Sequence, residues 1–85
     1  MTKALPTTLL EQLAEDASFL RPELFAVYGV DNTGRPFLGW GMQLCDDKAV
    51  YHDPEHAITW LSPTADHILR RRQSQGSAHL VWLEP

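Results

Sequence analysis

Leu24-Phe25-Ala26-Val27-Tyr28-Gly29-Val30, then Asp31-Asn32-Thr33-Gly34, then Pro36 to Leu44 (PFLGWGMQL), is the stretch that decides the fold. The first run is apolar on both alternating faces and rich in β-branched and aromatic residues, which reads as a central strand. Residues that tolerate positive φ or bond their own backbone fill the next four positions, and the apolar run then resumes, so the pattern is a β-hairpin. In the second strand Leu38, Trp40, Met42 and Leu44 share one face, while Phe37, Gly39, Gly41 and Gln43 share the other. Two glycines on one face point to a close approach or a bulge.

Working outward, Cys45-Asp46-Asp47-Lys48 is a polar break and Ala49 to His52 a short strand. Asp53-Pro54-Glu55 has proline at the second position of a turn. Residues 53–61 fit either a short helix capped by Asp53 or a strand; β-branched Ile58 and Thr59 favour a strand over Ile58 to Leu61. Ser62-Pro63 reads as a helix start, Ser as cap and Pro at the first helical position, with Ala65, Ile68 and Leu69 as its buried stripe. Arg70, Arg71 and Arg72 close that helix, Gly76 stops it, and Ala78 to Leu83 is the last strand.

Upstream, residues Thr8 to Leu20 carry Leu9, Leu13, Ala17 and Leu20 at spacings of three and four, with Leu10 beside them, which is the period of an amphipathic helix. Thr8 and Glu11 have the spacing of a capping box, and Arg21-Pro22 disfavours continuation. The predicted fold is α+β, a small mostly antiparallel sheet of about five strands with two helices in the order α-β-β-β-β-α-β. It is one domain over residues 1–85, with 1–7 as an N-terminal tail. Because the first and last strands are apolar on both faces, either the helices cover opposite faces or a second subunit covers one.

Composition bounds the function classes. With 85 residues, 44% of them apolar and 21% charged, the chain has the balance of a globular domain rather than a disordered one. Cys45 is the single cysteine, so no internal disulfide forms and a reducing, cytoplasmic setting is expected. Acidic residues interrupt the N-terminal segment where a signal peptide would be apolar, and no apolar run reaches the ~20 residues of a membrane span. The ends, Met1 and Pro85, show no tag, which reads as a whole gene product. A formal net charge of −4 opposes binding to nucleic acid.

Few residues form a chemical constellation. His52 and His56 have the spacing of a helical metal pair, with Asp53 and Glu55 between, but Pro54 breaks the helix that spacing requires, so a polar surface turn is the plainer reading. Cys45 precedes Asp46 and Asp47, whose charge disfavours a thiolate, and no serine sits in a nucleophile-elbow context. Gly39-Trp40-Gly41 is too short for a phosphate cradle and is read as packing. Arg70, Arg71 and Arg72 could meet an acidic partner, although cations in a last helical turn complement the exposed carbonyls there, and a solvated helix end is preferred. Trp40, Trp60 and Trp82 fall on three strands. Core packing is their first explanation, and an exposed aromatic patch for a partner is the functional one.

No catalytic residue or cofactor is assigned. The expectation is a small non-catalytic binding or regulatory protein acting through contact with another protein or with itself as a homodimer, with Trp40, Trp60, Trp82 and the three arginines as binding candidates. The alternatives are a ligand- or metal-binding protein or enzyme using the His52–His56 turn, and an acidic inhibitor or immunity-type protein that masks a basic partner.

Overall fold

The hairpin read from residues 24–44 lies at the centre of the sheet. In a computed structural model that describes residues 7–83, the elements are α1 (Thr7–Phe19), β1 (Glu23–Asp31), β2 (Pro36–Cys45), β3 (Lys48–Asp53), β4 (Ile58–Ser62), α2 (Ala65–Gln73) and β5 (Gly76–Trp82). The fold is α+β, in the order α-β-β-β-β-α-β. All strand pairs are antiparallel, and the sheet order is β4-β3-β2-β1-β5.

That order follows from the connections. Three tight turns lay β1 to β4 side by side, and α2 carries the chain back across the sheet to the free edge of β1. In the β1–β2 turn one carboxylate oxygen of Asp31 accepts from the backbone N–H of Thr33 and Arg35 and from the Thr33 hydroxyl, while Gly34 takes φ 83°. Residues 53–61 resolve as turn then strand. Asp53 accepts from the backbone N–H of Glu55 and of His56, which closes the turn, and Ala57 sits at φ 53° before β4 begins.

Cross-strand register puts Phe25, Val27, Phe37, Ala49, Tyr51 and Ala78 on one side of the sheet. There α2 seats Ala65 and Ile68 on them, and this is the core. Gly39 and Gly41 belong to the same side: a Cβ on Gly39 would enter the Tyr51 ring, and one on Gly41 the Phe25 ring. The close approach is thus ring over backbone. The bulge lies elsewhere, between Gln43 and Cys45.

Three helix limits differ from the sequence reading. Ser62 is not the cap of α2: it ends β4, opposite Ala49, and Thr64 caps instead, its hydroxyl accepting from the His67 N–H at 3.1 Å. Strand pairing holds Ser62 extended for one residue longer than the cap pattern implies. Gly76 does not stop α2 either; Ser74 is the C-cap, and Gly76 opens β5 where a Cβ would strike the Val30 carbonyl. Helix α1 begins at Thr7, so Thr8 lies within its first turn rather than at the cap. The expected tail over residues 1–7 otherwise lies outside the described residues.

The two helices do not cover opposite faces. Helix α2 packs on the core side, whereas α1 projects beyond the sheet and lengthens the molecule to 56 × 26 × 20 Å. Among the described residues no helix is long and apolar enough to cross a membrane.

Candidate functional site

Antiparallel pairing gives the second side of the sheet its composition. Side chains alternate along each strand, so every residue neighbouring a core position in sequence points away from α2. On β1 these are Leu24, Ala26, Tyr28 and Val30; on β2 they are Leu38, Trp40, Met42 and Leu44. Val50 and Leu61 extend the surface to the β4 edge and Val81 to the β5 edge. Nothing among the described residues covers them. Trp40 is 48% exposed and Leu61 75%. Only Ala26 is buried, between its cross-strand neighbours Trp40 and Val81.

The polar positions on this side are His52, Thr59, Ser77 and His79. His52 Nδ1 bonds the Thr59 hydroxyl at 2.7 Å, and the His79 ring lies 5.7 Å from that of Tyr28. No Asp, Glu, Lys or Arg occupies the paired positions across the face; Lys48 stands at its margin, past the bulge. A monomer in water usually exposes no contiguous apolar patch larger than ~300–600 Å². Five strands ~4.8 Å apart and about seven residues long make a face of about 550 Å² in projection before side-chain relief is counted.

The tryptophans do not gather on one face, and core packing accounts for Trp60, which packs half-buried against the core, but not for Trp40 or Trp82. Trp40 is on the uncovered side. Trp60 and Trp82 are on the α2 side at opposite edges, Trp60 half-buried beneath Arg71, whose guanidinium carbon is 4.0 Å from the ring centroid. Trp82 meets Phe25 edge-on at 5.5 Å and remains 48% exposed. It borders an open cleft of about 470 Å³ with Phe19, Arg21, Pro22 and Leu24, where α1 joins the sheet. Across β1, Trp82 pairs with core-facing Phe25 and Trp40 with Ala26 of the other side, so the rings on β5 and β2 face opposite sides of the sheet.

The arginine run also divides. Arg70 pairs with Asp66 one turn earlier and is exposed, as a solvated helix end requires. Arg72 corrects that reading: it is 4% exposed, its Nη2 donates to Asp53 at 2.9 Å, and its guanidinium carbon stands 3.8 Å from the Phe37 centroid. Helical spacing turns Arg72 to the same side as Ala65 and Ile68, onto the core. The three therefore form no common binding surface.

His52 and His56 are not brought together. His56 Nδ1 bonds Asp53 at 2.9 Å on the core side, and His52 lies on the uncovered side. Among the described residues no three His, Cys, Asp or Glu side chains are grouped to hold a metal ion. Cys45 is exposed and donates to the Asp47 carboxylate at 3.2 Å. Sequence reasoning missed Gln43. Its amide accepts from the Ala65 N–H and donates to the carbonyls of Cys45 and Pro63, locking the β2–β3 hairpin to the start of α2. Its one signal was a polar residue in phase with the core-facing positions.

No protein-family model, curated protein or solved structure gives a significant match to the chain.

Proposed function

We propose that this chain is a small binding or regulatory protein that acts through protein–protein contact, with the uncovered sheet face as its contact surface. The observation that carries the reading is the combination of size, apolar character and lack of formal charge inside the Lys48 margin on one side of the sheet, while α2 already covers the other. Burying apolar surface contributes about 25 cal/mol per Å², so a face of this extent is a substantial driving force for association. Interface cores are depleted in charged residues and enriched in Trp, Tyr and Met, as this face is at Trp40, Tyr28 and Met42. On the α2 side the charged groups are engaged structurally instead: the Asp53 carboxylate pairs with both Arg72 and His56.

The test is affinity capture from the native cell, comparing the intact protein with Trp40→Glu. The reading expects a macromolecular partner, itself or another protein, that the intact chain retains and Trp40→Glu loses. Trp82→Glu, altered on the opposite side, should retain it. A chain that stays alone at every concentration, with no partner sensitive to Trp40, would refute the assignment.

A further inference from the structure

We infer that the occupant of the uncovered face is a second copy of this chain, and that each copy lays its α1 helix across the other's sheet. This rests on the reading of the face as a protein contact and names the partner.

Three observations carry it. Among the described residues two apolar surfaces lack a covering. Leu9, Leu10, Leu13 and Leu20 line one side of α1 and are 43 to 69% exposed, and the helix packs on neither α2 nor the sheet. A reciprocal exchange sets one helix stripe on each sheet, so that both apolar surfaces gain a partner. A foreign partner that covered the sheet alone would leave the α1 stripe exposed.

The dimensions agree. A helix of 13 residues is about 20 Å long, and five strands at ~4.8 Å spacing make a sheet about 20 Å wide between its outer strand axes. A helix about 20 Å long and about 10 Å wide covers about 200 Å² of the sheet, so each copy contributes about 400 Å² in projection, its own stripe plus the strip of sheet under the partner's helix, before side-chain relief, toward the ~800 Å² per partner of a standard interface. Helix α1 leaves the sheet through only Leu20, Arg21 and Pro22. The Leu20 N–H still bonds the Asp16 carbonyl, so the helical path persists almost to β1 and directs the stripe away from its own sheet.

Charge does not oppose self-association at the sheet face. In a two-fold contact the same patch meets itself, so a charge near the axis meets its own sign. This chain carries a net charge of −4, yet the only formal charge at the paired positions of this face is Lys48, at its margin. Of the acids of α1, Glu11 and Glu15 lie on the side of the helix away from the leucines, whereas Asp16, three residues after Leu13 and four before Leu20, shares the leucine side at its edge. With α1 from the partner on one side and its own α2 on the other, each sheet becomes the middle layer of a three-layer unit, the arrangement that strands apolar on both faces require.

The experiment uses the full chain and two paired substitutions at exposed positions. One alters the helix, Leu9→Glu with Leu13→Glu; the other alters the sheet, Trp40→Glu with Met42→Glu. Light scattering should give the intact protein twice the 9.6 kDa chain mass. Each variant should run as a monomer, its association weakened at least ~30-fold, the effect of losing one interfacial hot spot. Mixing the two variants in equal amounts should restore a heterodimer weaker than the native one, since the intact helix of one meets the intact sheet of the other. Far-UV circular dichroism establishes that the variants are folded, and Tyr28→Glu replaces the sheet pair if that protein does not fold. A monomeric intact protein overturns the inference. If such a monomer still captures a Trp40-dependent host protein, the contact-surface reading survives without it. A dimer that persists in the helix variant, or variants that do not complement, overturns the exchange.

Discussion

Arg72 Nη2 lies 2.9 Å from the Asp53 carboxylate with both side chains buried, and this pair ties the last turn of α2 to the end of β3. Asp53 does more than balance charge. It also accepts from the Glu55 and His56 backbone N–H groups and from the His56 ring, so four donors depend on one carboxylate. Removing one member of a buried pair leaves the other charged and unsolvated, typically at a cost of about 3–5 kcal/mol. Asp53→Ala should therefore reach that range in urea unfolding. Arg72→Met should cost less, because Asp53 keeps its three remaining donors. The double variant should fall short of the sum by about 1 kcal/mol or more; strict additivity would mean that the two groups do not act as a pair.

The acid limb of stability should report on Asp31. The hydrogen bond from the Thr33 hydroxyl is the leading cause that holds its carboxyl below the ordinary 3.8, and the Arg35 backbone N–H adds to it. A carboxylate lowered in the folded state stabilises that state above its unfolded value. The contribution is lost as pH falls below about 3.8 and through the lowered folded value. Urea midpoints between pH 5 and pH 2 should decline less steeply in Asp31→Asn than in the parent. Equal slopes would show that the turn carboxylate is not selectively stabilised.

Gly39 and Gly41 should resist substitution although they lie within strands, where alanine ordinarily gains over glycine. A methyl at Gly39 enters the Tyr51 ring, and one at Gly41 enters the Phe25 ring and approaches the Val50 carbonyl. Overpacking of this kind costs about 1–3 kcal/mol. Gly39→Ala should recover part of that loss when combined with Tyr51→Leu, which removes the ring. Gly41→Ala should recover less from a change at Phe25, since the Val50 backbone cannot be trimmed. Thermal melts of the singles and the combinations check both statements.

How far the fold could be read in advance depended on how local its cause was. The hairpin at residues 31–34 is written in four consecutive residues that bond one another, and α2 in a three- and four-residue apolar spacing. The fate of Arg72 was not local. Its position at the end of a basic run made a solvated terminus the natural expectation, and only the packing of α2 against β3 turns that one arginine inward onto Asp53. The same holds for the tryptophans. Residue parity within a strand could be counted from the sequence, but Trp40 and Trp82 separate because register pairs Phe25 with Trp82 and Ala26 with Trp40. The alternation of apolar residues on β1 announced that both faces would be covered, yet it could not reveal that α1 would leave its own sheet bare.

Ala57 should be improved by glycine. Its φ of 53° places a Cβ in the left-handed region, which costs a non-glycine residue roughly 1–2 kcal/mol. Glycine removes that strain but adds about 0.5–1 kcal/mol of chain entropy to the unfolded state. Ala57→Gly should therefore raise stability by up to about 1 kcal/mol, read as a higher urea midpoint at unchanged slope. A lower midpoint would mean that the turn relaxes and the alanine is not strained.

Quenching by iodide in single-tryptophan variants should separate the three rings by environment and then by concentration. Trp40 and Trp82 are each 48% exposed, whereas Trp60 lies under the Arg71 guanidinium and against Tyr51. In dilute solution the first two should be quenched readily and Trp60 weakly. As concentration rises, association through the uncovered face should shield Trp40 while Trp60, on the α2 side, stays unchanged. The midpoint of that change should coincide with the midpoint of the mass increase seen by light scattering. Quenching of Trp40 that is indifferent to concentration, in a protein whose mass does increase, would place the contact on some other surface, because an aromatic ring at the centre of a dry interface cannot remain accessible to an aqueous anion.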